Sequence, residues 1–210
     1  SGAAGTYASM GEHGTTVAMG VAKELGLVCE LIAWHASRDG LTELACNLAI
    51  HAQTLAKIAE DLYDMQRTDF QEAAEALDPH LSGSSTMPQK RNPYSLSIIR
   101  GASGVLIGRL SGFLAVSKSP SARSDNLIYA YGEVPRALDL TLRITRLAAG
   151  VVRTLRVNAD RLAEEVRGGY SQATDLAEHL VQTCDVDYRT AYLVVGRAVR
   201  NASRAGVPGV

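Results

Sequence analysis

Residues 78–93 read Asp78-Pro79-His80-Leu81-Ser82-Gly83-Ser84-Ser85-Thr86-Met87-Pro88-Gln89-Lys90-Arg91-Asn92-Pro93. This stretch gathers hydroxyls, turn formers and two adjacent cations just before an apolar run. Asn92 stands where a helix N-cap belongs and Pro93 where the first helical residue belongs. Unpaired N–H groups at such a helix start, beside Lys90 and Arg91, would attract an anion, so a carboxylate or phosphate ligand fits. The spacing is not that of a phosphate-binding P-loop, because the fifth residue after Gly83 is Pro88. No Gly-x-Ser-x-Gly elbow frames Ser84 as a hydrolase nucleophile. An ordinary loop with surface cations is the alternative from the residues alone.

The elements that would hold this loop are helices. All six prolines lie at positions 79, 88, 93, 120, 135 and 208, which leaves long proline-free stretches rich in Ala and Leu. From Arg38 to Gln66, Leu41, Leu44, Leu48, His51, Leu55, Ile58, Leu62 and Met65 alternate spacings of three and four. They predict one stripe about 36 Å long that a bundle partner must cover. Further helices are expected from Glu12 to Leu25, leading to an apolar link through Trp34, from Pro93 to Lys118 and from Pro135 to Leu155. The last of these carries Leu140, Ile144, Leu147, Ala148, Val151 and Leu155 on one side. Gly104, Gly108 and Gly112 leave one face of the Pro93–Lys118 helix bare, at about 1 kcal/mol each relative to Ala, so another helix should pack very closely there. Short helices follow at Ala159–Arg167, capped by Asn158 and stopped by Gly168-Gly169, then at Gln172–Thr183 and Tyr188–Ser203. Hairpin turns and period-two alternation are nearly absent. The expected fold is all-α: a long-helix bundle over 1–156 and a small helical C-terminal domain over 157–210.

Composition narrows the function classes. With 21 Lys+Arg against 22 Asp+Glu in 210 residues, the chain is not a generally basic nucleic-acid coat. The weakly polar run Gly101–Val116 is interrupted by Arg109 and is too short to span a bilayer, and no signal peptide is visible. Cys29, Cys46 and Cys184 form no CxxC pair, so buried thiols in a reducing, cytoplasmic setting are expected, with no metal and no cofactor. His51, within the predicted stripe, reads as a core histidine; His13, His35, His80 and His179 read as structural or exposed.

Gly83 to Pro93 resembles the sequence signature of the fumarase/aspartase superfamily, Gly-Ser-Ser-x-x-Met-Pro-x-Lys-x-Asn-Pro with slight spacing variants. Ser1-Gly2-Ala3-Ala4-Gly5-Thr6-Tyr7 and Trp34-His35-Ala36-Ser37-Arg38-Asp39 resemble the adenylosuccinate lyase and carboxymuconate cycloisomerase branch. Ala173-Thr174-Asp175-Leu176-Ala177-Glu178-His179-Leu180-Val181 resembles the terminal domain of argininosuccinate lyases. The resemblance implies a homotetramer around a bundle of long helices, with active sites shared between subunits. It implies anti β-elimination of a C–N or C–O bond in a succinate-type substrate with release of fumarate. Ser84 matches the serine that takes the Cβ proton, and Lys90 and Asn92 match the substrate-binding lysine and asparagine. Ser85, Thr86 and Met87 complete the substrate loop, with Met87 and Pro88 shaping a closure that excludes water.

The chain departs from the family in two places. The family's Thr-His-x-Gln-like segment, expected upstream of the Gly2–Thr6 turn, is absent, and Ser1 is not an initiator Met. A partial chain, from a protein about twice as long and inactive by itself, is therefore expected. Arg123-Ser124-Asp125-Asn126-Leu127-Ile128-Tyr129-Ala130-Tyr131-Gly132-Glu133 also replaces the acidic stretch of argininosuccinate lyases. Adenylosuccinate lyases place two arginines here; Arg123 is one candidate contact, and the second position falls on Ala130 or Tyr131. The substrate is thus open. A 3-carboxy-cis,cis-muconate cycloisomerase and a non-catalytic structural relative are the alternatives.

Overall fold

The computed structural model describes residues 2–32, 37–76, 86–87, 90–117 and 127–209. Two short 3₁₀ segments, Ala3–Gly5 and Ala8–His13, lead into α1 (Gly14–Leu25). Gly14 is packed so tightly that a Cβ there would come 2.4 Å from the Tyr7 Cβ. Gly26 ends α1 at φ 64°. Its N–H donates to the Lys23 carbonyl (3.2 Å) and that of Leu27 to the Ala22 carbonyl (2.8 Å), the Schellman arrangement that favours glycine. The later helices are α2 (Asp39–Met65), α3 (Tyr94–Val116), α4 (Leu127–Thr154), α5 (Ala159–Gly168), α6 (Ala173–Cys184) and α7 (Tyr188–Arg204). The all-α expectation holds; the described strands are β1 (Ala73–Ala74) and β2 (Arg156–Val157), paired antiparallel.

The chain divides into two compact units, one of residues 1–61 and 78–154, the other of 62–77 and 155–210. In the first, α2, α3 and α4 enclose Ala45, Ala52, Leu106, Phe113, Ala137 and Ile144. Directions follow from the side-chain links. Thr42 Oγ1 meets Ser117 Oγ at 2.5 Å, and Glu60 pairs with Arg100, so α2 and α3 run antiparallel. Arg109 Nε lies 3.7 Å from Glu133 Oε2, and Tyr129 Oη would lie 3.3 Å from a Cβ on Gly112, so α3 and α4 are antiparallel too.

Three expectations for this unit need correction. The inward face of α2 is not the leucine stripe but Ala45, Ala49, Ala52 and Ala59; Leu44, Leu48 and Leu55 flank it half-buried, and Ile58 is exposed. Small side chains at the crossing let the helix axes approach, and the leucines fill the grooves on either side. His51 is therefore exposed, not core, and its Nε2 pairs with Thr145 Oγ1 at 2.8 Å. The third correction concerns α4, which begins at Leu127 with Pro135 inside it. Ala130 is 1% exposed, two turns before the buried Ala137, so the core face extends back through the proline. Pro135 itself is on the exposed side, where the helix interruption is solvated.

α3 also differs from its expected surroundings. Among the described residues, a Cβ on Gly104 or Gly108 would meet nothing within 4 Å, so no described helix closes over that face, whereas Gly112 has Tyr129 as a neighbour. At 23 residues α3 is long and apolar enough to cross a membrane by length and composition, which the shorter run Gly101–Val116 did not indicate, and 22% of its apolar window is buried.

In the second unit, Ala177, Ala191 and Val195 pack with Leu180, Val181, Val186 and Val199 between α6 and α7. Asn158 caps α5 as expected, accepting from the Arg161 N–H at 3.3 Å. It also joins the 62–77 segment: its N–H donates to the Glu72 carbonyl (2.8 Å) and its Nδ2 to the Gln71 carbonyl (3.2 Å). Arg161 Nε donates to the Phe70 carbonyl at 3.1 Å.

Candidate active-site loop and helix start

Of the signature residues, Thr86, Met87, Lys90, Arg91, Asn92 and Pro93 are described; Ser84, Ser85 and the separate candidate Arg123 lie outside the described residues. The Lys90 N–H donates to the Met87 carbonyl at 3.0 Å, closing a turn that leaves Thr86, Met87, Lys90 and Arg91 exposed and Asn92 half-buried.

The helix start differs from expectation by one residue. Pro93 is the N-cap, Asn92 precedes it, and Tyr94 opens α3. Pro93 has φ −75° and ψ 72°, and the Tyr94 N–H donates to the Asn92 carbonyl at 2.9 Å. Those are the angles and bond of an inverse γ-turn centred on Pro93. The proline ring fixes φ but leaves ψ free to choose the turn over the helix, and Pro93 itself makes no side-chain cap hydrogen bond. Pro93 lacks an N–H and that of Tyr94 is taken up locally, so the cradle is smaller than the sequence implied. The positive pole of a 23-residue helix and two exposed cations remain at this end.

The described histidines are on separate elements. Thr145 Oγ1 donates its single proton to the Thr141 carbonyl at 2.7 Å, so His51 Nε2 must be the donor in their 2.8 Å bond. His13 is exposed at the end of a 3₁₀ segment and His179 is exposed on α6.

Sequence reasoning missed a charged cluster between α3 and α4. Glu133 accepts from Arg136 Nη1 at 2.6 Å and faces Arg109 Nε at 3.7 Å, while Arg109 Nη1 is buried without a hydrogen-bond partner. Glu133 and Arg136 are three residues apart on α4, but Arg109 joins them from α3, and no sequence interval links the two helices. Of the two positions considered for a second substrate-binding arginine, Ala130 is buried in the core and Tyr131 is exposed.

Lys90 and Asn92 precede the first residue of α3, whereas Ser117 and Leu127, which flank the Arg123 segment, follow its last. The helix between them spans about 33 Å at 1.5 Å per residue.

A lyase family model matches residues 1–108, and a model of the argininosuccinate lyase C-terminal region matches residues 170–209. An argininosuccinate lyase of Streptomyces griseus subsp. griseus is 36% identical over 200 residues, covering 95% of this chain and 42% of that protein. The 3-carboxy-cis,cis-muconate lactonizing enzyme of Pseudomonas putida superposes with a TM-score of 0.77 at 28% identity, over 98% of this chain and 46% of that one. An EDDS lyase variant with bound fumarate gives 0.70 at 30% identity, over 81% of this chain and 34% of its own. The chain thus spans less than half the length of each of these proteins. Matched over its first 108 residues, it belongs to the lyase family of the fumarase/aspartase superfamily.

Proposed function

We propose that the chain forms part of a cytoplasmic lyase that cleaves a C–N or C–O bond of a succinate-type substrate by anti β-elimination and releases fumarate. The observation that carries this reading is the run Gly83–Pro93, ending in an exposed Lys90 and an Asn92 beside the start of α3. Ser84 Oγ, as the alkoxide, takes the Cβ proton, and the electron pair moves into the adjacent carboxylate. Lys90 and Asn92 stabilise the resulting aci-carboxylate dianion as its charge develops. Collapse of that dianion forms the Cα=Cβ bond and expels the amine or alkoxide, which takes a proton from a general acid. Ser85, Thr86 and Met87 line the loop over the substrate, and Arg123 contacts its far end. The argininosuccinate lyase relatives and the fumarate-bound EDDS lyase support this class.

Sites shared between subunits of a homotetramer also fit, since Lys90 and the residues flanking Arg123 stand at opposite ends of α3. The 157–210 helices form the terminal domain in this reading.

The lactonizing-enzyme neighbour, which covers nearly the whole chain, favours a second reading, cycloisomerisation of 3-carboxy-cis,cis-muconate. Ultraviolet assay of fumarate release against carboxymuconate consumption in the full-length protein separates the two. Ser84→Ala should abolish turnover of whichever substrate is used and leave its binding largely intact. Unchanged turnover would remove Ser84 as the base.

A further inference from the structure

We propose that the outer face of α7 is a docking surface for an acidic, amphipathic helix of a partner protein. Between Tyr188 and Arg204 every charged residue is an arginine: Arg189, Arg197, Arg200 and Arg204, in a chain whose formal net charge is −1. At about 3.6 residues per turn these four fall within about 80° of arc, and the buried Ala191 and Val195 lie on the opposite side of the helix. The stripe runs about 22 Å along the axis. All four arginines are exposed, and none makes an ion pair among the described residues. Arginines on the other helices do find an acid one turn away, as Arg136 does at Glu133, Arg143 at Asp139 and Arg161 at Glu165. Like charges at three- and four-residue intervals repel, so the stripe weakens α7 until an anion answers it.

The anion is a protein segment because of what stands among the arginines. Leu193 falls in the middle of their arc with Val194 beside it, and the two are 51% and 56% exposed. With Thr190, Arg197, Ala198 and Asn201 they line a groove of about 370 Å³. A nucleic-acid backbone would bring phosphates to the arginines but gain little from Leu193 and Val194. A lipid surface takes up a helix by its apolar side, and that side of α7, Ala191 and Val195, is already packed against α6. A helix with Asp or Glu at three- and four-residue intervals answers both features. Its carboxylates pair with Arg197, Arg200 and Arg204, which are themselves spaced by three and four, and an apolar side chain between them enters the groove.

The probe is a fluorescein-labelled helical peptide carrying four Glu at three- and four-residue intervals around a central Leu. It is titrated with the full-length protein and followed by fluorescence anisotropy at low ionic strength. The peptide should bind saturably, more weakly as salt is raised, and the same peptide with Gln for every Glu should not bind. Arg197→Glu combined with Arg200→Glu should weaken binding about tenfold or more, and Leu193→Ser about threefold or more. All three side chains are exposed, so helical content by circular dichroism should match the parent. Absence of saturable binding, or equal binding of the Glu and Gln peptides, would overturn the proposal. Tighter binding of a single-stranded oligonucleotide of equal charge, or of vesicles containing anionic lipid, unaffected by Leu193→Ser, would overturn it in favour of that ligand. A mass by light scattering that halves in the Arg197→Glu, Arg200→Glu variant would also overturn it, because the face would then join copies of this chain. Binding is read without turnover, so its outcome is separate from that of the lyase reading.

Discussion

Two helix starts in this molecule solve the same problem in opposite ways. α7 opens behind Asp187, whose Oδ1 accepts the Thr190 N–H at 3.0 Å and whose Oδ2 accepts the Thr190 hydroxyl at 2.6 Å. The negative charge needed at the positive pole of α7 is supplied by its own cap. α3 opens behind Pro93, whose own side chain makes no cap hydrogen bond, and two cations precede it. α7 thus carries its own counter-charge, whereas in the proposed function the counter-charge at the start of α3 comes from a substrate carboxylate.

The largest expected effect tests the open start. In the proposed function Lys90 makes a charge-assisted hydrogen bond to the substrate carboxylate, and Lys90→Met in the full-length protein would remove a contribution of about 1.5–3 kcal/mol. Steady-state kinetics should show kcat/KM lower by about 10- to 100-fold, with helical content unchanged. A value within twofold of the parent would take Lys90 out of the site and end the contrast between the two helix starts.

Particular residues show what could be read from the sequence. Asn158 before Ala159 and the glycine pair after Arg167 located α5 almost to the residue, because caps and stops are local chemistry. The ends of α2 came within one residue because the three-and-four spacing runs unbroken from Leu41 to Met65. Which side of α2 faces inward was not legible. Leucines and alanines both recur at helical spacing, and the closeness of the neighbouring axes decided for Ala45, Ala49, Ala52 and Ala59. Pro135 misled because a proline that favours a first turn is also tolerated within a helix when its face is exposed and the core continues past it. At the site, Asn92 and Pro93 marked the helix start, but the inverse γ-turn that moved it by one residue depends on ψ, which proline does not fix. The Glu133–Arg136 pair is local to α4, but Arg109 comes to Glu133 from α3 and meets it only once the two helices pack.

A smaller effect sharpens the contrast by giving α3 its own anion. Tyr94 is the first helical residue and is exposed, so Tyr94→Asp places a carboxylate at the positive pole without disturbing the core. Helix–charge interaction of this kind contributes about 0.3–1 kcal/mol. Thermal denaturation should therefore show a modest gain in stability. The same carboxylate should raise KM for a dicarboxylate several-fold by opposing it at Lys90. A gain in stability with unchanged KM would mean that the substrate does not approach this end of the helix.

The smallest effect comes from removing the anion that α7 already has. The hydrogen bond from the Thr190 hydroxyl, and then that from the Thr190 N–H, hold the Asp187 carboxyl below its ordinary value of 3.8. A carboxyl that titrates lower in the folded chain than in the unfolded one binds its proton more weakly when folded. Its stabilising contribution is therefore present above the ordinary carboxyl range and is lost as pH falls through the lowered value. Asp187→Ala should lower the melting temperature at neutral pH, and the difference from the parent should shrink below pH 4 as the parent's carboxyl becomes protonated. Because Asp187 is exposed, added salt should reduce the electrostatic part of the difference and leave the hydrogen-bonded part. A melting difference that stayed constant from neutral to acid pH would show that α7 depends on the shape of its cap and not on its charge, and the two helix starts would then differ in geometry alone.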